Sequence, residues 1–238
     1  MKIANLVPLT IGLAALAIAA PAPELSPALS GEIPVFPAPA GPMEIPTTFS
    51  GSPVTMQHVI ESYGTITGQT FSVSDETSMF LRGTNLNLTE PLSVPIENVQ
   101  TVFETLLIQN GFVLDVLYEG TPRLLTVISL NTGARTNIRQ NASYVSSENV
   151  AGMRQHPAML FMTVVDLPRC DVRQLANSMR TMITDANTQQ LLPAGNTTSL
   201  VVTGMGAQVA DLVEMLERIN DTAPEPVQQV VKEPEGGK

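Results

Sequence analysis

Apolar residues along this chain change their spacing repeatedly, from every second residue to every third or fourth, and the order of those changes predicts its elements. The first block opens with a strand over 44–49. Ser52-Pro53 then supplies an N-cap and a first-turn proline for a helix with Met56, Val59, Ile60 and Tyr63 on one face, ended by Gly68. Strands are predicted over 70–73 and over 86–89, the latter because Leu86 and Leu88 alternate with Asn87. Pro95 opens a second helix whose apolar face is Ile96, Val99, Phe103, Leu106 and Leu107, closed by Asn110-Gly111 as a left-handed cap. Strands over 112–117 and 124–130 complete the block, joined by a turn on Glu119-Gly120-Thr121-Pro122.

Residues 131–157 are polar, carry Gly133, Asn137, Asn141 and Ser146-Ser147, and read as a linker with a short helix near 148–153. The second block is cleaner. A strand over 158–165 puts Leu160, Met162 and Val164 on one face and Phe161 and Val165 on the other. Asp171 caps a helix with a stripe of Val172, Leu175, Ala176, Met179 and Met182. Strands over 189–192 and 199–203 flank the turn Pro193-Ala194-Gly195-Asn196, and a last helix carries Val209, Leu212, Val213, Leu216 and Ile219. The order over 158–221 is β-α-β-β-α. The fold class is therefore α+β, in two small two-layer sandwiches over 44–130 and 158–221. A module this short buries too little surface to be more than marginally stable alone, so it is expected to pack against a neighbour.

The ends read differently. Residues 1–20 run from one Lys through an apolar stretch to Ala17-Ile18-Ala19-Ala20 and read as a secretory signal peptide rather than an uncleaved anchor. A proline-rich linker follows over 21–43, in a tract that runs on to Pro46, and its extended geometry suits a stiff spacer. Residues 222–238, with Pro224, Pro226 and Pro234, read as a disordered tail. With 12 basic and 22 acidic side chains the formal charge is −10, which opposes a nucleic-acid partner. The single cysteine, Cys170, excludes an internal disulfide framework and any multi-cysteine metal site.

The segment from Thr163-Val164-Val165-Asp166-Leu167-Pro168 to Ile219-Asn220 resembles a secretin short domain, the ring-building repeat in the periplasmic part of type II and type III secretion channels. The resemblance rests on the strand ending in Asp166-Leu167, the helix over 171–183, the turn Gly195-Asn196-Thr197-Thr198 leading into Leu200-Val201-Val202-Thr203-Gly204, and the closing helix. The first block, 43–130, is similar to the domain preceding it in secretins, which also occurs at the N-terminus of some TonB-dependent receptors. That similarity is carried by element order and by the helix from Val94-Pro95-Ile96 to Asn110-Gly111. Secretins continue into a membrane barrel, and no run of long alternating strands follows Ile219, so the expectation is an accessory or split periplasmic part and not the pore. The resemblance implies a periplasmic, non-enzymatic scaffold or ring component that works by protein–protein binding. It implies secretin or other secretion-system partners, homo-oligomerisation, and no membrane span once the leader is cleaved. The alternative it leaves open is a signalling or docking module for a TonB-dependent receptor.

Candidate chemistry is sparse. Cys170 stands at a helix entrance with no general base near it in sequence, and His58 has Glu61 and Ser62 beside it, as any polar helix face offers. His156 precedes Pro157 in a loop without such neighbours, and Gly204-Met205-Gly206 lacks a phosphate-loop lysine. A Gly-x-x-Gly loop between adjacent helices, as in KH-type RNA-binding domains, is missing. The expectation is no catalytic residue, no cofactor and no metal site. One surface pattern stands out: Arg173 and Arg180 share a helix face, while Asp211, Glu214 and Glu217 line the last helix beside Arg218. In a head-to-tail ring these two faces form a candidate subunit interface.

Overall fold

A computed structural model describes residues 31–120, 123–195 and 198–224. The predicted leader, linker residues 21–30, tail residues 225–238 and parts of two predicted turns, 121–122 and 196–197, lie outside the described residues.

The first module starts with β1 (Met43–Ile45) and a short hairpin of β2 (Thr48–Phe49) and β3 (Ser52–Pro53). The predicted helix is α1 (Met56–Thr67), and Met56, Val59, Ile60 and Tyr63 are its buried face. Its start is shifted from the expected position because Ser52-Pro53 belongs to the hairpin. Thr55 caps it instead, its backbone N–H donating to His58 Nδ1 at 3.1 Å. After β4 (Thr70–Ser72) comes α2 (Asp75–Gly83), which the apolar pattern does not predict. The Ser74 hydroxyl caps it, accepting from the Thr77 N–H at 3.2 Å, but only Thr77 and Leu81 are buried, so its apolar period is nearly silent.

The strand expected over 86–89 is replaced by irregular chain. Asn87 adopts a left-handed φ of 49°, which ends an extended run, and the strand forms at β5 (Leu92–Val94), antiparallel to β1. Pro95 leads into a 3-10 turn (Ile96–Asn98) and then α3 (Val99–Gln109). Val99, Phe103 and Leu107 are buried as expected, whereas Ile96, in the turn, is 46% exposed. Gly111, at φ 77°, closes α3 in the left-handed conformation that glycine adopts without strain. β6 (Phe112–Tyr118) pairs antiparallel with β7 (Leu124–Ser129), and β4 joins β7 in parallel, giving the order β4-β7-β6.

Residues 131–157, read as a linker, contain 3-10 helices at Gly133–Asn141 and Ser147–Gln155 with β8 (Ser143–Tyr144) between them. The large aliphatic residues and the methionine of this polar stretch, Ile138, Val145, Val150 and Met153, are all buried. β8 pairs in parallel with β9 (Leu160–Asp166). α4 (Val172–Ser178) begins at Asp171, whose carboxylate accepts from the backbone N–H groups of Arg173 and Gln174 at 3.0 and 3.1 Å. It tightens into a 3-10 turn (Met179–Met182), which carries Met182 off the predicted stripe to 54% exposure. β10 (Gln190–Pro193), β11 (Ser199–Met205) and α5 (Gly206–Thr222) follow, and the sheet order is β10-β11-β9-β8. The α+β class and the β-α-β-β-α order are those expected, with β8 added at one edge. Phe161, Thr163 and Val165 are the core face of β9, and Val164 faces outward.

The two modules share one continuous core, running from Met43 and Phe103 to Phe161, Val202 and Leu216. Leu114 on β6 donates its N–H to the Ala158 carbonyl at 2.9 Å and pairs with Met159, while Val113, Ile138, Leu160 and Met205 form a second cluster across the junction. The packing partner that each small module needs is thus in the same chain. Among the described residues no helix is long and apolar enough to cross a membrane.

Candidate interaction surfaces

The charged residues of the candidate subunit interface fall on the second module. Arg173 and Arg180 flank a shallow cleft over the free edge of β10, with Ala176, Asn177, Leu191 and Gly195, and Arg173 Nη2 donates to the Gly195 carbonyl at 3.3 Å. On α5, Asp211 and Glu214 are engaged inside the chain. Arg154, from the stretch read as a linker, reaches their carboxylates at 3.0 and 2.6 Å, and Arg218 meets Glu214 at 2.5 Å. The Arg154 hydrogen bond, followed by the charge of Arg218, lowers the Glu214 pKa below the usual carboxylate range, and the same acids raise that of Arg154. Glu217 is exposed. The structure therefore brings Asp211 and Glu214 together with a basic partner that the periodicity had not offered, and leaves Arg173 and Arg180 on a different element.

An apolar groove of about 380 Å³ lies between α5 and the β10 edge, lined by Met182, Ile183, Leu191, Val209, Leu212 and Met215. Met182, which the helical stripe placed in the core, is at its rim.

The most elaborate polar arrangement joins the two modules, and sequence reasoning missed it. Glu104 on α3 is fully buried. Its Oε1 lies 2.7 Å from His156 Nδ1 and accepts from Gln100 Nε2 at 2.5 Å, and its Oε2 accepts from the Ala158 N–H at 3.1 Å. Tyr63, stacked on Phe103 with centroids 3.9 Å apart, donates its hydroxyl to Gln100 Oε1. Burial, and secondarily the Glu104 carboxylate, push the Tyr63 pKa above the ordinary phenol range. The neighbours that His156 lacks in sequence come from the other module. Nothing local could have revealed this; the one available signal was a Gln100/Glu104 pair flanking the buried stripe of α3. His58 has a local role, since its ring caps α1 at Thr55 and packs on Phe49, while Glu61 accepts from Gln57. Among the described residues no group of three or more His, Cys, Asp or Glu side chains is placed to hold a metal ion.

No protein-family model and no curated protein matches the chain. Among solved structures it is similar to the Klebsiella pneumoniae type II secretion system outer membrane complex of PulD, PulS and the PulC HR domain. That match has 16% identity and a TM-score of 0.50, and covers 71% of this chain and 26% of that one. The enterotoxigenic Escherichia coli GspC–GspD complex of the type II secretion system matches with 16% identity over 71% of this chain and 94% of that one, at a TM-score of 0.25. The N-terminal domain of the secretin XcpQ from Pseudomonas aeruginosa matches with 12% identity over 72% and 63%, at a TM-score of 0.25. The chain spans about a quarter of the length of the Klebsiella chain, whose match carries the assignment. The chain therefore shares its fold with part of a type II secretion system outer membrane complex.

Proposed function

We propose that this protein is a non-enzymatic, exported scaffold of the periplasm that acts beside a type II or type III secretion channel by binding other proteins. The observation that supports the reading is the α+β fold, whose element order resembles secretin domains and whose backbone is similar to part of the Klebsiella complex. In that complex the secretin PulD is assembled with PulS and a domain of PulC, and an analogous secretin or secretion-system partner is the one proposed here. The surfaces available for it are the β10 edge with its basic cleft, the apolar groove beside α5 and the outer helix faces.

Self-association into a ring is part of the same reading. A head-to-tail contact brings Arg173 and Arg180 of one copy to Asp211, Glu214 and Glu217 of the next, with Arg154 as the competitor already seated on two of those acids. Exposed pairs of this kind contribute only about 0–1 kcal/mol each, so they set register more than affinity. The double substitution Arg173→Glu, Arg180→Glu is expected to lose assembly and a compensating charge swap on α5 to restore it. Unchanged stoichiometry in the basic-face variant refutes the contact.

The test of the function is affinity purification of the tagged full chain after cross-linking in the cells that encode it. Recovery of a secretin or an inner-membrane secretion protein supports the proposal. Recovery of a TonB-dependent receptor or an anti-sigma protein in its place supports a receptor-docking role and overturns it.

A further inference from the structure

The proline-rich segment that reads as a spacer lies, from residue 31 onward, in a groove built by the first module and the 131–157 stretch. At one end the Gly31 carbonyl accepts from the Ser146 N–H at 2.9 Å and from Asn149 Nδ2 at 3.0 Å, and Gly31 pairs in parallel with Val145, next to β8. Ile33 enters a notch that exists because residue 152 is glycine: a Cβ there would stand 2.5 Å from Ile33 Cδ1. Pro34 is buried. The Phe36 ring packs 5.3 Å from the His156 ring, beneath the Arg123 guanidinium at 5.4 Å, and Arg123 also donates to the Val35 carbonyl. Val35 itself points outward at 80% exposure. At the other end the Ala40 N–H donates to the Ile66 carbonyl at 2.7 Å.

The two anchoring side chains Ile33 and Phe36 are three apart, with Pro34 buried between them, while Gly31, at a left-handed φ of 70°, turns the chain in at the end of the groove. The spacing of the anchors is the repeat of a polyproline-type strand, three residues per turn. Such a strand is extended before it binds and loses little conformational entropy on docking. We propose that this groove is a recognition site for an extended, proline-spaced segment of the form Ile-Pro-x-Phe-Pro, filled within the chain by residues 31–39, and that the same segment of a second copy fills it by exchange.

The connection to the body favours exchange. Pro37 and Pro39 hold residues 37–39 extended up to a bend at Ala40 and Gly41, and most of 37–42 is exposed. An arm released from its own groove therefore projects outward. The contacts it makes are the same in its own groove and in a partner's, so concentration and the geometry of the connection decide between them. The site stands on these contacts whether or not the chain joins a secretion channel.

Two measurements on the exported full chain test it. In the first, Pro34→Asp with Phe36→Asp releases the arm, and a fluorescent peptide of residues 31–41 is titrated by anisotropy, with circular dichroism checking that each variant is folded. The expected result is saturable binding at least tenfold tighter than to the unmodified chain, whose groove is filled, and lost when Gly152→Leu closes the Ile33 notch. No saturable binding to the folded released variant, or equal binding to the unmodified chain, overturns the recognition site. In the second, chains carrying Ile33→Cys and chains carrying Gly152→Cys, both with Cys170→Ser, are mixed and oxidised. A disulfide-linked heterodimer establishes exchange; its absence at concentrations where the peptide binds overturns exchange and leaves the groove a purely internal contact.

Discussion

Substituting Glu104 by Ala removes the acceptor at the centre of the junction between the modules. The carboxylate is fully buried and lies 2.7 Å from His156 Nδ1, with the Ala158 N–H at 3.1 Å and Gln100 Nε2 at 2.5 Å. Ala leaves two buried groups, His156 and the Ala158 N–H, and the half-buried Gln100 amide without that acceptor, each buried one costing about 1–3 kcal/mol where no water replaces it. Breaking a buried polar pair from one side typically costs about 3–5 kcal/mol. We expect a loss of about 3–5 kcal/mol, set against a total of about 5–15 kcal/mol for an ordinary domain. Glu104→Gln keeps the shape and one acceptor oxygen and is expected to lose less, about 1–2 kcal/mol. Urea unfolding followed by far-ultraviolet circular dichroism measures both, and because the core is continuous the modules are expected to melt in one transition. The coupling is read from the cycle with His156→Ala. A Glu104→Ala cost under about 1 kcal/mol, or costs that simply add in the double variant, would mean that Glu104 and His156 do not hold the junction together.

The close approach of α5 to the chain before β9 predicts a second large effect. A Cβ on Gly206 would meet the carbonyl oxygens of Met153 and His156 at 2.3 and 2.4 Å, so Gly206→Ala is expected to lower stability by about 2–3 kcal/mol in the same urea experiment. Thr163 is fully buried on β9 with its hydroxyl unpartnered, so the isosteric Thr163→Val is expected to raise the melting temperature, by an amount equivalent to about 1 kcal/mol. Burial raises the Asp115 pKa above its ordinary 3.8, against the opposing hydrogen bonds from Val116 and Asn141. The folded state thus binds this proton more tightly than the unfolded chain, and stability falls as pH rises from the ordinary value through the raised one. Asp115→Asn is therefore expected to stabilise at pH 7 and to show no gain below about pH 3.8, as read by melting temperature across pH.

What was legible in the sequence was what periodicity controls. The faces of α1 and α5, the Asp171 cap and the Gly111 stop follow from spacing and local backbone chemistry, and these place the two sandwiches. α2 was silent because Met79 and Phe80, its largest apolar residues, face outward, and only Leu81 marks a buried side. Leu86 and Leu88 mimicked a strand that the left-handed Asn87 forbids. The junction was illegible for a different reason. Glu104 and His156 are 52 residues apart, and their pairing depends on how one module seats on the other, which no local pattern encodes. The same holds for Arg154, whose acidic partners on α5 are far along the chain, and for the arm, where composition gave an extended strand but not the groove that receives it.

The proposed function is that of a binding partner of a secretion channel. Purified full chain and detergent-solubilised secretin rings are to be sedimented together through a density gradient over a range of chain concentrations. The account predicts that the chain moves to the ring fraction and saturates at a fixed number of copies per ring. A chain that stays at the top of the gradient at every concentration, folded and at full length, contradicts it.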